Sequence, residues 1–406
     1  MEILFYRYNS ICEPDIIQTF ESFGITVHTE DLEMHDKNVS PQTCSARVAE
    51  WILGHPLSFV FSVNFFPAIS YTCEHFGLPY VCWSVDSPVP ELFSNALKNS
   101  WNRIFLFDRA QYDFFSPFNP SCIFYLPLAT NVRRWEQTVL GMTDEDYRKY
   151  GGDVSFVGSL YTEKCKYDTL VKNNLLSEYT RGYVDGLIEA QLKVYGCNFI
   201  MDNLTDRVIC EIAAADPQFY RGTDTFMDTD RYLVAHQYIG MKLAAVERQR
   251  TLAALSEHFP VNLYTRSDAS ALPKVHACGG VSTLTEMPKV FQASRINLNM
   301  TMRPIETGLS LRVWDVLGCG GFLLTNYQAE LPAYFEIGRD LDAYESQAEL
   351  LEKVRYYLAH EEERLEIAIN GYEKTARLYS YENRLAEMMI RVLSTGASAE
   401  PQDHPH

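Results

Sequence analysis

Residues 1–130 alternate short apolar runs with segments of helical period, and no other feature of the chain restricts its fold as much. Strand-like runs fall at 3–6, 27–29, 59–63, 80–85, 103–107 and 123–126, with helical segments at 15–23, 42–53 and 67–76 between them. Strands separated by helices pair in parallel, so the pattern predicts an α/β fold with a parallel sheet covered by helices. Ligands of such sheets bind at the loops leaving the carboxyl ends of the strands. Those loops are 7–10, 64–67, 86–90 and 108–109, and they place Arg7, Asn64 and Asp86 among the candidates.

The rhythm restarts at DVSFVGS, residues 153–159, which sets a domain boundary near 150 and Gly158 at a strand end. A mainly helical stretch at about 165–257 reads as an insertion early in the second domain. A strand at 261–265 follows it, and alternation resumes from 275 until helices at 347–358, 361–374 and 381–393 close the chain. The expected domains are 1–150 and 151–375, then a closing helix at 376–394 and a polar tail at 395–406. A chain of 406 residues is long for one core and comfortable for two.

Within the second domain, residues 294–326 read as strand, polar loop, helix, Gly turn and strand. Ile296, Leu298 and Met300 alternate with Asn297 and Asn299, the period of a half-buried strand whose polar face leads to the loop. From Leu309 the period becomes helical, with Leu309, Val313, Val316, Leu317 and Gly320 on one stripe. The start of that helix offers the N–H groups of Gly308, Leu309 and Ser310 and a partial positive charge beside Arg303. This combination suits a diphosphate.

Charge narrows the partners. Asp and Glu number 53 against 35 Lys and Arg, a net −18, which argues against sequence-independent binding to nucleic acid or to an anionic membrane. A phosphate ligand needs a local cationic pocket in such a chain. No stretch approaches the roughly 18 apolar residues that span a bilayer. The N-terminus has a short apolar run and an early Arg7, which reads as a first strand rather than a secretion signal. Ten cysteines with no C-x-x-C pair read as reduced core thiols, and a cytoplasmic protein is expected. The acidic pairs at 144–146, 228–230 and 340–342 follow no apolar strand, so neither metal nor cofactor is expected. Fingerprints for dinucleotides, the P-loop, zinc proteases and serine hydrolases do not occur.

Several phrases together resemble GT-B glycosyltransferases, specifically bacterial ones of the spore-maturation type. In the second half they are DVSFVGSLY at 153–161, INLNMTMRPIETGLSLRVWDVLGCGGFLLTNYQAEL at 296–331, GRDLDAYES at 338–346 and YEKTARLYSYENRL at 372–385. In the first half they are ILFYRYNS, FVFSVNFFPAIS, YVCWSVDSPVPELF and YLPLATN. They cover nearly the whole chain apart from the insertion and tail.

The resemblance implies two Rossmann-like domains facing across a cleft, with a nucleotide-sugar donor, UDP-linked, on the second and an unidentified acceptor on the first. It implies that the last helix returns to the first domain. It suggests that Asp315 takes the ribose hydroxyls, that Gly280 lies at the donor base and that Gly158, Asn299, Arg303 and Arg312 line the donor site. Related retaining enzymes carry two glutamates with seven residues between them in this segment, whereas Glu306 and Asp315 have eight between them, which leaves Glu306 as sugar contact and the stereochemistry open. Asp86 is the candidate base for an inverting transfer, and capping of a helix starting at Pro88 is the competing account of it. Arg7 and Asn64 are acceptor-side candidates. A non-catalytic sugar-binding protein and a nucleotide-sugar epimerase are the rival readings.

Overall fold

The computed structural model describes residues 1–220, 222 and 224–396. The expected tail lies outside this range, except that the closing helix Tyr381–Gly396 runs into its first residues. Two compact units divide the chain. The first comprises residues 1–107, 111–129 and the segment from Leu378 onward, and the second comprises 108–110 and 130–377. The second unit therefore begins about twenty residues before the expected boundary of 150. The helices Val132–Leu140 and Asp144–Tyr150 pack against Met287–Ala293, where Lys289 pairs with Asp146 at 2.8 Å and Tyr150 donates to Glu286 at 2.8 Å.

The first unit is a parallel six-stranded sheet in the order β2-β1-β3-β4-β5-β6. Its strands are β1 Glu2–Tyr6, β2 Thr26–Glu30, β3 Leu57–Val63, β4 Tyr80–Trp83, β5 Asn102–Leu106 and β6 Ile123–Tyr125. Ile3, Phe5, Phe59, Phe61, Val81 and Phe105 are buried, because helices cover both faces of a parallel sheet and leave its strands almost wholly apolar. The closing helix belongs to this unit, where it packs on the helix Glu13–Ser22 and Tyr381 meets Trp83 edge-on at 6.0 Å.

The second unit is also a parallel six-stranded sheet, ordered β12-β11-β10-β7-β8-β9. Its strands are β7 Gly152–Val157, β8 Val261–Tyr264, β9 His276–Gly279, β10 Ser294–Asn299, β11 Leu323–Asn326 and β12 Asp342–Tyr344. Counted within the unit from β9, the order is 3-2-1-4-5-6, that of a Rossmann sheet, and it reverses between β7 and β10. That reversal makes β10 a central strand. Asn297 and Asn299 are therefore buried instead of facing water as half-burial would require. The Asn297 amide donates to the Phe291 carbonyl at 2.8 Å and that of Asn299 to the hydroxyls of Thr301 and Thr325.

Between β7 and β8 the chain forms the expected insertion. Helices Lys166–Lys172, Glu178–Gln191 and Asp206–Ala215 enclose an apolar core of their own with the π-helical stretch Val234–Gly240, which runs into the helix Met241–Ser256.

Candidate functional site

The switch point of the second sheet carries a pocket of about 360 Å³ at the carboxyl ends of β7, β8 and β9. Gly158, Gly280 and Arg312, three of the donor residues expected from sequence, line it. So do Glu163, Lys164, Arg266 and Ser267, which the sequence reading missed although Arg266 follows a recognisable strand. A Cβ at Gly280 would sit 2.6 Å from Cγ of Arg266, so a larger residue there would displace that side chain. Three cations thus meet one pocket in a protein of net charge −18.

Arg248, also missed, supports this pocket from beneath. It is buried, donates to the carbonyls of Ser159 at 2.5 Å and Met300 at 2.7 Å, and lies 4.4 Å from the ring of Tyr161. It thereby ties the loop after β7 to the loop after β10. Arg312 rests over the Phe291 ring at 5.1 Å with its side chain 23% exposed, and its guanidinium is 3.7 Å from Asp315. Asp315 itself is buried and accepts from the Thr130 hydroxyl at 3.0 Å. It does not line the pocket and stands behind Arg312.

Two expected phosphate contacts are used inside the protein. Arg303 is 2% exposed and forms a two-point pair with Glu247, at 2.7 and 3.3 Å, with a third bond to the Val194 carbonyl. A buried guanidinium needs such partners, and this one has no face left for a diphosphate. The N–H of Gly308 donates to Asp108, as do those of Glu306 and Thr307. The buried Asp108 carboxylate fills the anion-binding nest of this loop. Leu309 is buried, and Ser310, the N-cap of the helix Leu311–Gly318, has its hydroxyl 3.3 Å from that of Thr301. Asn299 serves its neighbouring threonines and does not line the pocket.

Glu306 remains partly open, with its side chain 32% exposed. Burial, then the charges of Asp108 and Asp202, push its carboxyl up to about 7. It is poised to titrate near neutrality.

In the first unit a second polar cluster occupies the carboxyl ends of β1, β3 and β4. Asn64 donates to Tyr8 Oη at 2.8 Å and to Asp86 at 2.7 Å, while its carbonyl accepts from the Val85 N–H at 3.0 Å. Asn64 adopts φ of +58°, a conformation asparagine tolerates better than most residues. Its amide is thus committed to holding the 84–86 loop, so it positions Asp86 instead of meeting an acceptor. Asp86 is exposed and caps no helix, since the following 3₁₀ turn starts only at Pro90 with Val89 before it. Arg7 is paired with Glu13 at 3.3 Å and Asp31 at 3.4 Å, which makes it a local staple and not an acceptor-side group.

A larger hollow of about 490 Å³, which includes Glu336, Arg339, Asp340 and Lys374, lies just before β12 and hence at the opposite edge of the sheet. Its Arg339 and Lys374 already pair with Glu336 and Asp340. Among the described residues no group of three or more His, Cys, Asp or Glu side chains could hold a metal ion, and no helix is long and apolar enough to cross a membrane.

Comparison with known proteins agrees with the fold. Residues 247–390 match the family described as glycosyl transferase-like, a span that includes Arg248, Arg266, Gly280 and Arg312. The chain matches no curated protein by sequence. Its fold is the GT-B class of α/β structure. A glycosyltransferase from Rickettsia africae shares it with a TM-score of 0.53 and 9% identity over 98% of this chain and 99% of that one. Sucrose-phosphate synthase from Thermosynechococcus elongatus does so with a TM-score of 0.53 and 11% identity over 98% and 100%. Anabaena HepE in complex with UDP and glucose is similar with a TM-score of 0.51 and 14% identity over 96% and 99%.

Removing Arg303 strands a buried carboxylate. Arg303→Met is expected to lower unfolding stability by about 3 to 5 kcal/mol, and Glu247→Met added to it to recover much of that loss. Urea denaturation of the single and double variants measures both, and an Arg303→Met protein of unchanged stability that has lost nucleotide affinity would reinstate Arg303 as a ligand contact.

Proposed function

We propose that the protein is a glycosyltransferase that moves a hexose from a nucleoside diphosphate sugar, UDP-linked, to an acceptor hydroxyl. The observation that carries this reading is the tricationic pocket at the β7–β10 switch point, most of whose wall belongs to the segment matching the glycosyl transferase-like family. The presence of UDP and glucose in the HepE complex supports the choice of nucleotide and sugar class. Lys164, Arg266 and Arg312 would meet the charge that develops on the diphosphate as it leaves, a task we assign to these cations without a metal. Glu163, the carboxylate among the lining residues, would accept the ribose hydroxyls. Asp315 would act through Arg312. Val281 and Met287 supply apolar wall for the base. Glu306, ahead of the helix Leu311–Gly318, would contact the transferred sugar.

For the acceptor we propose the first unit, with Asp86 as the base that takes the proton of the attacking hydroxyl and Asn64 and Ser84 holding its loop in place. Burial, then the charge of Asp86, pushes the neighbouring Tyr8 hydroxyl up, so Tyr8 stays a protonated donor throughout the working range. Ten free thiols, seven of them buried, support action in a reducing compartment such as the cytoplasm.

Arg312→Ala is expected to weaken UDP binding ten- to a hundredfold in calorimetry, the loss of a charge-assisted contact of about 1.5 to 3 kcal/mol. Unchanged affinity would move the donor elsewhere. Asp86→Asn is expected to keep UDP affinity and to slow sugar transfer to a panel of glycan and alcohol acceptors by about 10²- to 10⁴-fold. A transfer rate equal to that of the unaltered protein removes Asp86 from the chemistry.

A further inference from the structure

His236 is 2% exposed, and among the described residues neither ring nitrogen has a hydrogen-bond partner. Buried polar groups left in this state are rare and call for a reason. The residue lies in the π-helical stretch Val234–Gly240, a distortion often found at functional sites. Pro304 packs so closely on this stretch that a Cβ at Gly240 would sit 2.6 Å from its ring, which brings the 301–310 loop onto the helix. The nearest carboxylate is Glu306, with Oε1 3.6 Å from Nε2 of His236.

We propose that His236 is a positioning residue: its Nε2–H, at 3.6 Å too far for a hydrogen bond, directs its partial positive charge at Glu306 Oε1 and holds it inward, leaving Oε2 to accept a hydroxyl of the donor sugar. This rests on the donor reading above. The groups acting electrostatically on Glu306 are Asp108, from residues 108–110, and Asp202, from the turn Met201–Asn203, and both are acidic. His236 is the basic side chain that meets it. On the same stretch Tyr238 gives its hydroxyl to Asp216 at 2.5 Å, in the helix that follows Lys242 pairs with Asp168 at 2.7 Å, and in the turn before it the ring of Tyr232 lies 4.3 Å from that of His236. Burial pushes the imidazole down to about 4, so it is neutral at pH 7 and has one N–H to give.

The pH dependence has a definite sign. A carboxyl that titrates at about 7 is roughly one-tenth ionised at pH 6 and nine-tenths at pH 8. A sugar hydroxyl donates to the ionised form, and the diphosphate diester of UDP-glucose does not titrate in this range. Affinity for UDP-glucose should therefore rise about tenfold from pH 6 to pH 8.

Carboxyl ¹³C NMR of the ligand-free protein, with Glu306→Gln to assign the signal, tests the pair without any ligand. His236→Phe must move the Glu306 midpoint above that of the unaltered protein, and His236→Gln, which keeps an N–H, must restore it at least in part. Calorimetry with UDP-glucose should show the same upward displacement of the binding profile in His236→Phe and a flat profile in Glu306→Gln. A Glu306 midpoint indifferent to both histidine variants overturns the proposal, and His236→Gln decides alone if His236→Phe does not fold. If the midpoint moves but UDP-glucose binds at neither pH, the pair stands as a coupled unit, its role on a donor sugar is overturned, and the donor reading fails with it.

Discussion

The second unit depends on one buried cation. Arg248 reaches the carbonyls of Ser159 and Met300, which belong to the two loops that part company where the strand order reverses. Adjacent strands whose crossovers run to opposite sides leave a crevice between their loops. Without a bridge those loops would expose buried carbonyls and have no fixed separation. Arg248 supplies both bonds from the helix Met241–Ser256, which closes the insertion, so the insertion is mechanically part of the support for the pocket beside these loops.

The same economy governs the other buried charges. Asp108 collects the N–H groups of three successive residues, Arg303 closes on Glu247, and Asp315 accepts from Thr130. Each is a charge whose burial is tolerable only because its partners are complete. These interactions set the shape of the 301–310 loop and thereby aim Arg312 at the pocket. Of the charged groups expected from sequence, those whose charge stays partly open to solvent are Arg312 and Glu306 in the second unit and Asp86 in the first.

Most strands were legible because their apolar runs sit between helical segments of unmistakable period; 67–76, for example, is helical from end to end as read. The pocket was half legible. Gly158 marks a strand end by its chemistry, Gly280 came from the family resemblance, and Arg312 sits in the first turn of a helix that the stripe of Val313, Val316 and Leu317 announces. Arg303 misled for a physical reason. An arginine in a polar loop reads as solvent-facing, and nothing local reveals that Glu247, 56 positions earlier, lies against it. Asn64 misled in the same way, since its partners Tyr8 and Asp86 come from two other strand ends. His236 was invisible: one histidine in a helical stretch carries no pattern, and only the π-helical geometry and the approach of Pro304 distinguish it.

What the sequence determined by itself was the class of fold, because periodicity and glycine turns are local properties that each segment expresses alone. Which charged groups face a ligand and which are consumed in the interior was decided by tertiary structure. That choice depends on desolvation and on partners distant in the chain, and two arginines nine residues apart, Arg303 and Arg312, meet opposite fates because one is surrounded by the insertion and the other opens onto a strand end.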